Sequence, residues 1–214
     1  MDCQVPFAGL MKKPTFLLGF SLTFLYTAGV FAQTGVPTVR DDPPMTASRR
    51  VGWAVASTFG GTALASTAIG AGWDTLLDHP REYNSHWGGF GKRAEMRGST
   101  TAARSVIEVG LGAIWDEDPR YHRAAGEPFQ NRIANIFKMS VMARDSDGRD
   151  MPAYSRFVAI PASSFLSNSW RAPSDRTTAA AVARIGTGFL GRLMGNAWGE
   201  FWPDVRSRIF HKSH

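Results

Sequence analysis

The stretch "SRRVGWAVASTFGGTALASTAIGAGWDTLLDHP", residues 48–80, decides the fold class. No proline interrupts it before Pro80, and residues 51–72 carry no charge. This pattern predicts a helix that begins near Ala47 and is buried on most of its sides. Because Gly, Ala, Ser and Thr outnumber Leu, Ile and Phe in it, the stretch is a weak candidate for a membrane span.

Downstream of this helix, "EYNSHWGGFGKR" (82–93) places three glycines among aromatic residues, which predicts a tight loop. A second helix is expected over about 99–116, with Arg104 and Glu108 as an i,i+4 ion pair. A third is expected over about 128–143. Its apolar stripe turns inward, and Arg132 and Lys138 point to solvent.

The rest of the chain also predicts helix. "RDSDGRDMP" (144–152) is a turn cluster, and a helical stretch kinked at Pro161 follows it. Ser174 or Asp175 is the expected N-cap of a long final helix that ends or kinks at Pro203. Since no segment alternates apolar and polar residues for long, we predict an all-α fold, a compact bundle of about five helices.

The final helix carries glycines at four-residue spacing in "GRLMGNAWG", at Gly191, Gly195 and Gly199. Each glycine costs a helix about 1 kcal/mol relative to alanine, so three on one face require a close neighbour. The first helix offers small residues around Gly60 and Gly61. We therefore predict that the first and last helices pack closely, and that oligomers could form through the same glycine-rich faces.

The N-terminus has the pattern of a secretory signal peptide. Two lysines precede the apolar run "TFLLGFSLTFLYTAGV" (15–30), and Val30 and Ala32 occupy the −3 and −1 positions of a cleavage site after residue 32. Met1 and Met11 are both candidate starts. The sequence thus predicts a signal peptide over 1–32, a flexible leader over 33–46 and one helical domain over 47–214.

Charge content indicates which partners to expect, and cysteine content indicates whether disulfides form. The chain has a formal net charge of +6, and its one cysteine, Cys3, precedes the cleavage site, so no disulfide is expected in the mature protein. For an exported protein, an excess of arginine favours a membrane or other anionic envelope component as partner, rather than nucleic acid. The alternative is that the arginines pair with nearby acids on solvated helix faces.

A Trp-Asp…Asp-Pro-Arg unit occurs twice, as "AGWDTLLDHPREY" (71–83) and "AIWDEDPRYHR" (113–123). A residue that precedes proline is pushed out of the helical region, so each unit predicts the end of a helix. In this interpretation Trp73 and Trp115 pack the bend against the core, and Arg81 or Arg120 forks onto a nearby carboxylate.

The alternative is a site for divalent-metal hydrolysis. Carboxylates and imidazoles from both units would supply the ligands Asp74, Asp78, Asp116, Asp118 and His122, with Asp118, His122, Asp78 and His79 as catalytic candidates. The spacing matches no established ligand or nucleophile motif.

"DSDGRD" (145–150) imitates a calcium loop, but Arg156 stands where the closing glutamate belongs. We expect no catalytic residue, metal or cofactor.

Several motifs carry a family resemblance. "DEDPRY" (116–121), the segment 147–156 and "NAWGEFWPDV" (196–205), with "WGGFGKR" (87–93) upstream, resemble an uncharacterised family of exported helical proteins from acidobacteria and some proteobacteria. The similarity spans about residues 70–210. It implies a helical envelope protein and transfers no catalytic residue. The resulting expectation is a non-enzymatic structural or binding module, periplasmic or membrane-associated.

Overall fold

The computed structural model describes residues 45–84 and 86–210. Six α-helices fill most of this part of the chain: α1 (Ala47–Phe59), α2 (Gly61–Leu76), α3 (Trp87–Ile114), α4 (Phe129–Val141), α5 (Tyr154–Leu166) and α6 (Thr178–Phe210). Two short antiparallel strands, β1 (Met142–Arg144) and β2 (Asp150–Pro152), form a hairpin between α4 and α5. The predicted all-α fold class is confirmed. The predicted signal peptide and most of the predicted leader lie outside the described residues.

Helix α3 organises the packing. Helices α1 and α2 lie against one part of it and α5 against another, while α6 packs on α4 and α5. Ser57 of α1 donates a hydrogen bond to Ser105 of α3 at 2.9 Å, which fixes the register of that pair. In the part of the chain described, no helix combines the length and apolar character needed to cross a bilayer.

The loop predicted over 82–93 is wrong beyond His86, because α3 already begins at Trp87. Its glycines lie inside the first turns of this helix. A Cβ at Gly89 would lie 2.1 Å from the carbonyl oxygens of Tyr83 and Asn84, so the preceding turn packs where only glycine leaves room. This close contact outweighs the low helix propensity of glycine.

Two other boundaries differ from expectation. Helix α4 ends at Val141 because the next three residues pair with Asp150–Pro152, although three residues were too short a run to predict a strand. The N-cap of α6 is Thr177, whose hydroxyl accepts from the Ala180 amide at 3.1 Å, rather than Ser174 or Asp175. Helix α6 also continues through Pro203 to Phe210, whereas Pro161 lies inside α5 as predicted.

The predicted packing of the first helix on the last is wrong. Gly60 adopts an extended backbone (φ −63°, ψ 155°) and ends α1, so the small residues on either side of it no longer share one continuous face. The main helix contacts of α6 are with α4 and α5 instead. Gly191 and Gly195 are half-buried, and buried Gly199 faces Tyr121, whose Cδ1 would lie 3.5 Å from an added Cβ.

Gly188 of α6 makes a tight contact, because an added Cβ would lie 2.8 Å from Cγ2 of Ile160. Exposed Gly186, two residues earlier, would meet nothing within 4 Å. We expect Gly186→Ala to raise the free energy of unfolding by up to about 1 kcal/mol through helix propensity. Gly188→Ala should lower it by about 1–3 kcal/mol, because the branched Ile160 cannot move aside without repacking.

Urea unfolding followed by circular dichroism measures both variants against wild type. Equal stabilisation by the two alanines would show that α5 and α6 do not approach closely at Gly188.

The distribution of side chains is unusual for a bundle. The buried apolar residues are mostly alanines and methionines, with Tyr121, Ile136 and Met139 forming the main cluster. The largest fully buried side chains include Arg93, Arg156, Glu117 and Glu200, whereas many large apolar side chains are exposed. Polar groups therefore hold much of the interior together, and they are buried only because they find partners.

Candidate functional site

The two repeated sequence units form two equivalent helix ends. Asp78, after α2, and Asp116, after α3, both have left-handed backbones, with φ of 50° and 57°. The amide of the following residue bonds back five positions in each case, from His79 to Asp74 O (2.9 Å) and from Glu117 to Gly112 O (2.8 Å). This is the usual closure of a helix C-terminus by a left-handed residue. Asp78 thus corresponds in structure to Asp116, and not to Asp118 as the sequence alignment of the units suggests.

A buried arginine from another helix holds each of these ends. Arg93 of α3 donates to three carbonyl oxygens after α2: His79 (2.8 Å), Pro80 (2.9 Å) and Asn84 (2.6 Å). Arg50 of α1 donates to the Glu117 carbonyl after α3 at 2.6 Å. Cations near a helix C-terminus are favoured by its carbonyls and by the helix dipole.

Of the residues predicted to stabilise the two bends, some make the predicted contacts and others do not. Arg120 forks onto Asp118, with Nε–Oδ1 at 2.9 Å and Nη2–Oδ2 at 2.5 Å, whereas Arg81 is exposed. Trp73 is half-buried. Trp115 is 38% exposed and lies edge-on to Tyr154, with ring centroids 6.0 Å apart, so it does not wedge the bend against the core as predicted.

Asp118 lies at the centre of the second bend. Its carboxylate accepts from Arg120, and Nε2 of His122 lies 3.6 Å from Oδ2. Burial opposes ionisation, but hydrogen bonds from His122 and Arg120 outweigh it and hold the pKa of Asp118 well below its usual range. The Asp118 amide also donates to Arg144 O at 2.8 Å, which ties the bend to β1. Asp118 is therefore an ionised, fully engaged carboxylate.

Glu117 connects the same bend to α5. Its carboxylate accepts from the Ser155 amide at 3.0 Å and from the Ser155 hydroxyl at 2.5 Å, in the first turn of that helix. Glu117 is buried, and the N-terminus of a helix is the end that favours an anion.

Glu200 of α6 is a fully buried carboxylate with three hydrogen-bond donors. It accepts from Tyr121 Oη (2.7 Å), Arg132 Nε (2.7 Å) and the Ala124 amide (3.1 Å). Burial and the hydrogen bond to Glu200 raise the pKa of Tyr121 well above its usual range. The prediction that Arg132 points to solvent is therefore wrong, whereas Lys138 is exposed as predicted and pairs with Asp150 at 2.5 Å.

The structure brings Asp118 and His122 together, at 3.6 Å, but gives the other three alternative metal ligands separate partners. Asp74 pairs with Arg97 (2.8 Å), Asp78 lies 3.5 Å from Arg93, and Asp116 lies 3.7 Å from Arg50. His79 is exposed, and its Nε2 lies 3.9 Å from the carboxylate of Asp175. Within residues 45–84 and 86–210, no group of three or more His, Cys, Asp or Glu could hold a metal ion.

The loop that resembles a calcium site is closed by arginine. Asp145 accepts from the amides of Asp147 and Arg149, and the Arg149 side chain reaches both aspartates at 2.7–2.9 Å. Gly148 supplies the left-handed residue of this turn, with φ of 79°. The predicted turn is confirmed.

The long-range ion pairs were not predicted. Arg132 and Glu200 are 68 residues apart, and Glu108 and Arg156 are 48 apart. Sequence spacing shows only partners within one helix, so no signal identified these pairs. The predicted partner of Glu108 was Arg104, yet the nearest cations to Glu108 are Arg156 (3.3 Å) and Arg192 (3.5 Å).

The chain was compared with family models, curated proteins and solved structures. No family model, no curated protein and no solved structure matches the chain. The resemblance to exported bacterial envelope proteins stays a prediction.

Proposed function

We propose that this protein is a non-enzymatic module of the cell envelope that docks on the surface of a membrane containing anionic lipids. One observation carries the proposal: large apolar side chains point outward while arginines and carboxylates fill the interior. Exposed apolar faces of this extent are typical of surfaces that bind a membrane or another protein.

The end of α6 has the strongest pattern for a lipid surface. Trp202, Val205 and Ile209 recur at helical spacing and are 36%, 43% and 60% exposed. Trp202 also stacks on Trp198, with ring centroids 4.5 Å apart. Tryptophan is enriched at the boundary between lipid and water, where its ring is apolar and its N–H is polar.

Arginines flank this stripe on both sides. At 100° per residue, Arg206 and Arg208 project on opposite edges of the face that carries Ile209, and both are exposed. Long basic side chains at the edge of an apolar face can reach the headgroups while the face enters the acyl boundary. This arrangement favours an anionic lipid surface over an apolar protein partner.

Helix α1 carries a second exposed stripe. Val51, Val55 and Phe59 repeat every four residues and are 61%, 52% and 66% exposed, with Arg49 at the same end as Val51. The net charge of +6 attracts the chain to anionic lipid, and the predicted export would place it beside envelope membranes.

The test is cosedimentation of the purified full chain with vesicles of phosphatidylglycerol or phosphatidylcholine. We expect Val205→Gln with Ile209→Gln to weaken partitioning at least tenfold, because two apolar side chains contribute roughly 1.5–3 kcal/mol each when fully buried. Arg206→Gln with Arg208→Gln should weaken partitioning about tenfold on phosphatidylglycerol alone, since each basic residue contributes about 1 kcal/mol at an anionic surface.

The matched control is Val182→Gln, an exposed valine at the other end of α6. It should bind vesicles like wild type. Any contribution from residues outside the described part is common to all variants and cancels in the comparison. If Val182→Gln loses as much binding as the Val205/Ile209 pair, or neither loses any, the proposed docking surface is wrong.

A further inference from the structure

A cluster of arginines surrounds a single glutamate between α3, α5 and α6. Oε1 of Glu108, on α3, lies 3.3 Å from Nε of Arg156 and 3.5 Å from Nη2 of Arg192. Glu108 and Arg156 are buried, and Arg192 is 15% exposed. Arg156 also donates to the carbonyls of Met139 and Ser140 at the end of α4, so much of its hydrogen-bonding capacity is already used.

Arg104 is the third arginine of this cluster and differs from the others. It lies one turn before Glu108, facing α6, where its Nη1 would be 3.6 Å from a Cβ built on Gly188. Across the residues that the structure describes, the Arg104 guanidinium forms neither a hydrogen bond nor an ion pair within 4 Å. Arg192 is also incompletely paired, because its buried Nε has no hydrogen-bond partner there.

The charges of this cluster do not balance. Three guanidinium groups surround one directly paired carboxylate, and the next acid, Glu117, is occupied by Ser155. Burying an unpaired cation is costly, and a bound anion offsets part of that cost. Gly188 lets α6 pack directly on Ile160 beside Arg104, and Arg104 itself is half-buried, so a small ion from solution reaches it from its exposed side.

We infer that Arg104 and Arg192 form a binding site for a small oxyanion, a phosphate or carboxylate group, beside Glu108 and Gly188. The guanidinium fork matches two oxygens of such a group, and Nε of Arg192 supplies a further donor. This inference is independent of the proposed docking surface on the outer faces of α1 and α6.

The electrostatics of the cluster agree with this site. Burial lowers the pKa of Arg104; Glu108 opposes this shift and the charge of Arg192 adds to it. Burial and the charge of Arg192 also lower the pKa of Arg156 to about 10, with Glu108 opposing. With a pKa of about 10, Arg156 remains protonated at neutral pH, so its charge belongs to the cluster that an anion would meet.

Inorganic phosphate is the probe, titrated into the purified full chain by calorimetry in chloride of matched ionic strength. We expect one saturable phosphate per wild-type chain, with a melting temperature that rises with phosphate concentration. Arg104→Gln should weaken the affinity at least tenfold and abolish the phosphate-dependent rise. Arg81→Gln, which removes the same charge from an exposed position, should leave both unchanged.

A second measurement separates ligand binding from a structural role for Arg104. In phosphate-free buffer, Arg104→Gln should melt at or above the wild-type temperature, because it removes an uncompensated buried cation. A lower melting temperature would mean that Arg104 stabilises the fold and would overturn the inference, as would the absence of saturable phosphate binding by wild type. Arg104→Gln should still bind phosphatidylglycerol vesicles, so failure of either proposal is recognised separately.

Discussion

Replacing Glu200 by alanine is expected to lower the free energy of unfolding by about 3–5 kcal/mol, because it leaves the buried Tyr121 hydroxyl without its acceptor and removes a buried carboxylate that pairs with Arg132. The Glu200 side chain is 0% exposed and accepts from Tyr121, Arg132 and the Ala124 amide. The Tyr121 hydroxyl and the Ala124 amide would lose this acceptor, whereas Arg132 would keep Asp204 and the Glu200 carbonyl, each at 2.6 Å. For a chain of this size the loss corresponds to about 10 °C in melting temperature.

Asp204 provides the matched control, because it lies one turn further along α6 and shares Arg132 with Glu200. Its Oδ2 lies 2.6 Å from Arg132, but its side chain is 45% exposed. Asp204→Ala should therefore cost no more than about 1 kcal/mol, the usual value for an ion pair in contact with water. Urea unfolding of the two variants measures the difference.

A double variant tests whether Arg132 and Glu200 act as a pair. Combining Arg132→Met with Glu200→Ala should cost less than the sum of the two single variants, since the Arg132–Glu200 pair can be lost only once. Equal losses for Glu200→Ala and Asp204→Ala, or a further full loss in the double variant, would contradict the role assigned to the buried carboxylate.

The helices and bends could be predicted because their signals are local. The start of α1 near Ala47, the turn around Gly148 and the helix ends before Pro80 and Pro119 follow from residues within a few positions of each other. The first turns of α3 were missed for a different reason. Glycine propensity predicts a loop there, and it does not show that the turn before α3 brings the Tyr83 and Asn84 carbonyls against Gly89.

The interior could not be predicted, since its partners are distant in sequence. Arginine enrichment predicts solvated helix faces or attraction to an anionic surface, and the apolar stripe of α4 predicts that Arg132 points outward. In the structure many arginines point inward and donate to carbonyls at helix ends. Nothing in periodicity distinguishes an arginine that caps a distant helix from one that faces water, because both interrupt an apolar stripe in the same way.

Arg93 shows this capping role most directly, and its replacement by methionine should cost roughly 3 kcal/mol. The side chain is 0% exposed and donates to the His79, Pro80 and Asn84 carbonyls. Methionine keeps the apolar stem but offers no donor, so the buried Pro80 carbonyl would be left unsatisfied, at a cost of about 1–3 kcal/mol. The other two carbonyls can be hydrated in part, and each lost hydrogen bond to a charged donor adds to the total.

Arg97→Met, one turn along the same helix, is the control for loss of charge and side-chain shape. Arg97 binds a carboxylate, Asp74, at 2.8 Å in a partly exposed pair, and its loss should cost about 1 kcal/mol or less. Arg93→Lys should fall between wild type and Arg93→Met, because one ammonium group cannot reach three carbonyls at once. Hydrogen exchange then locates the effect: amide protection should fall over residues 77–90 in Arg93→Met and stay unchanged there in Arg97→Met. A uniform loss of amide protection across the chain in both variants would contradict this role. Arg93 would then contribute only its charge, and other contacts would hold the bend after α2.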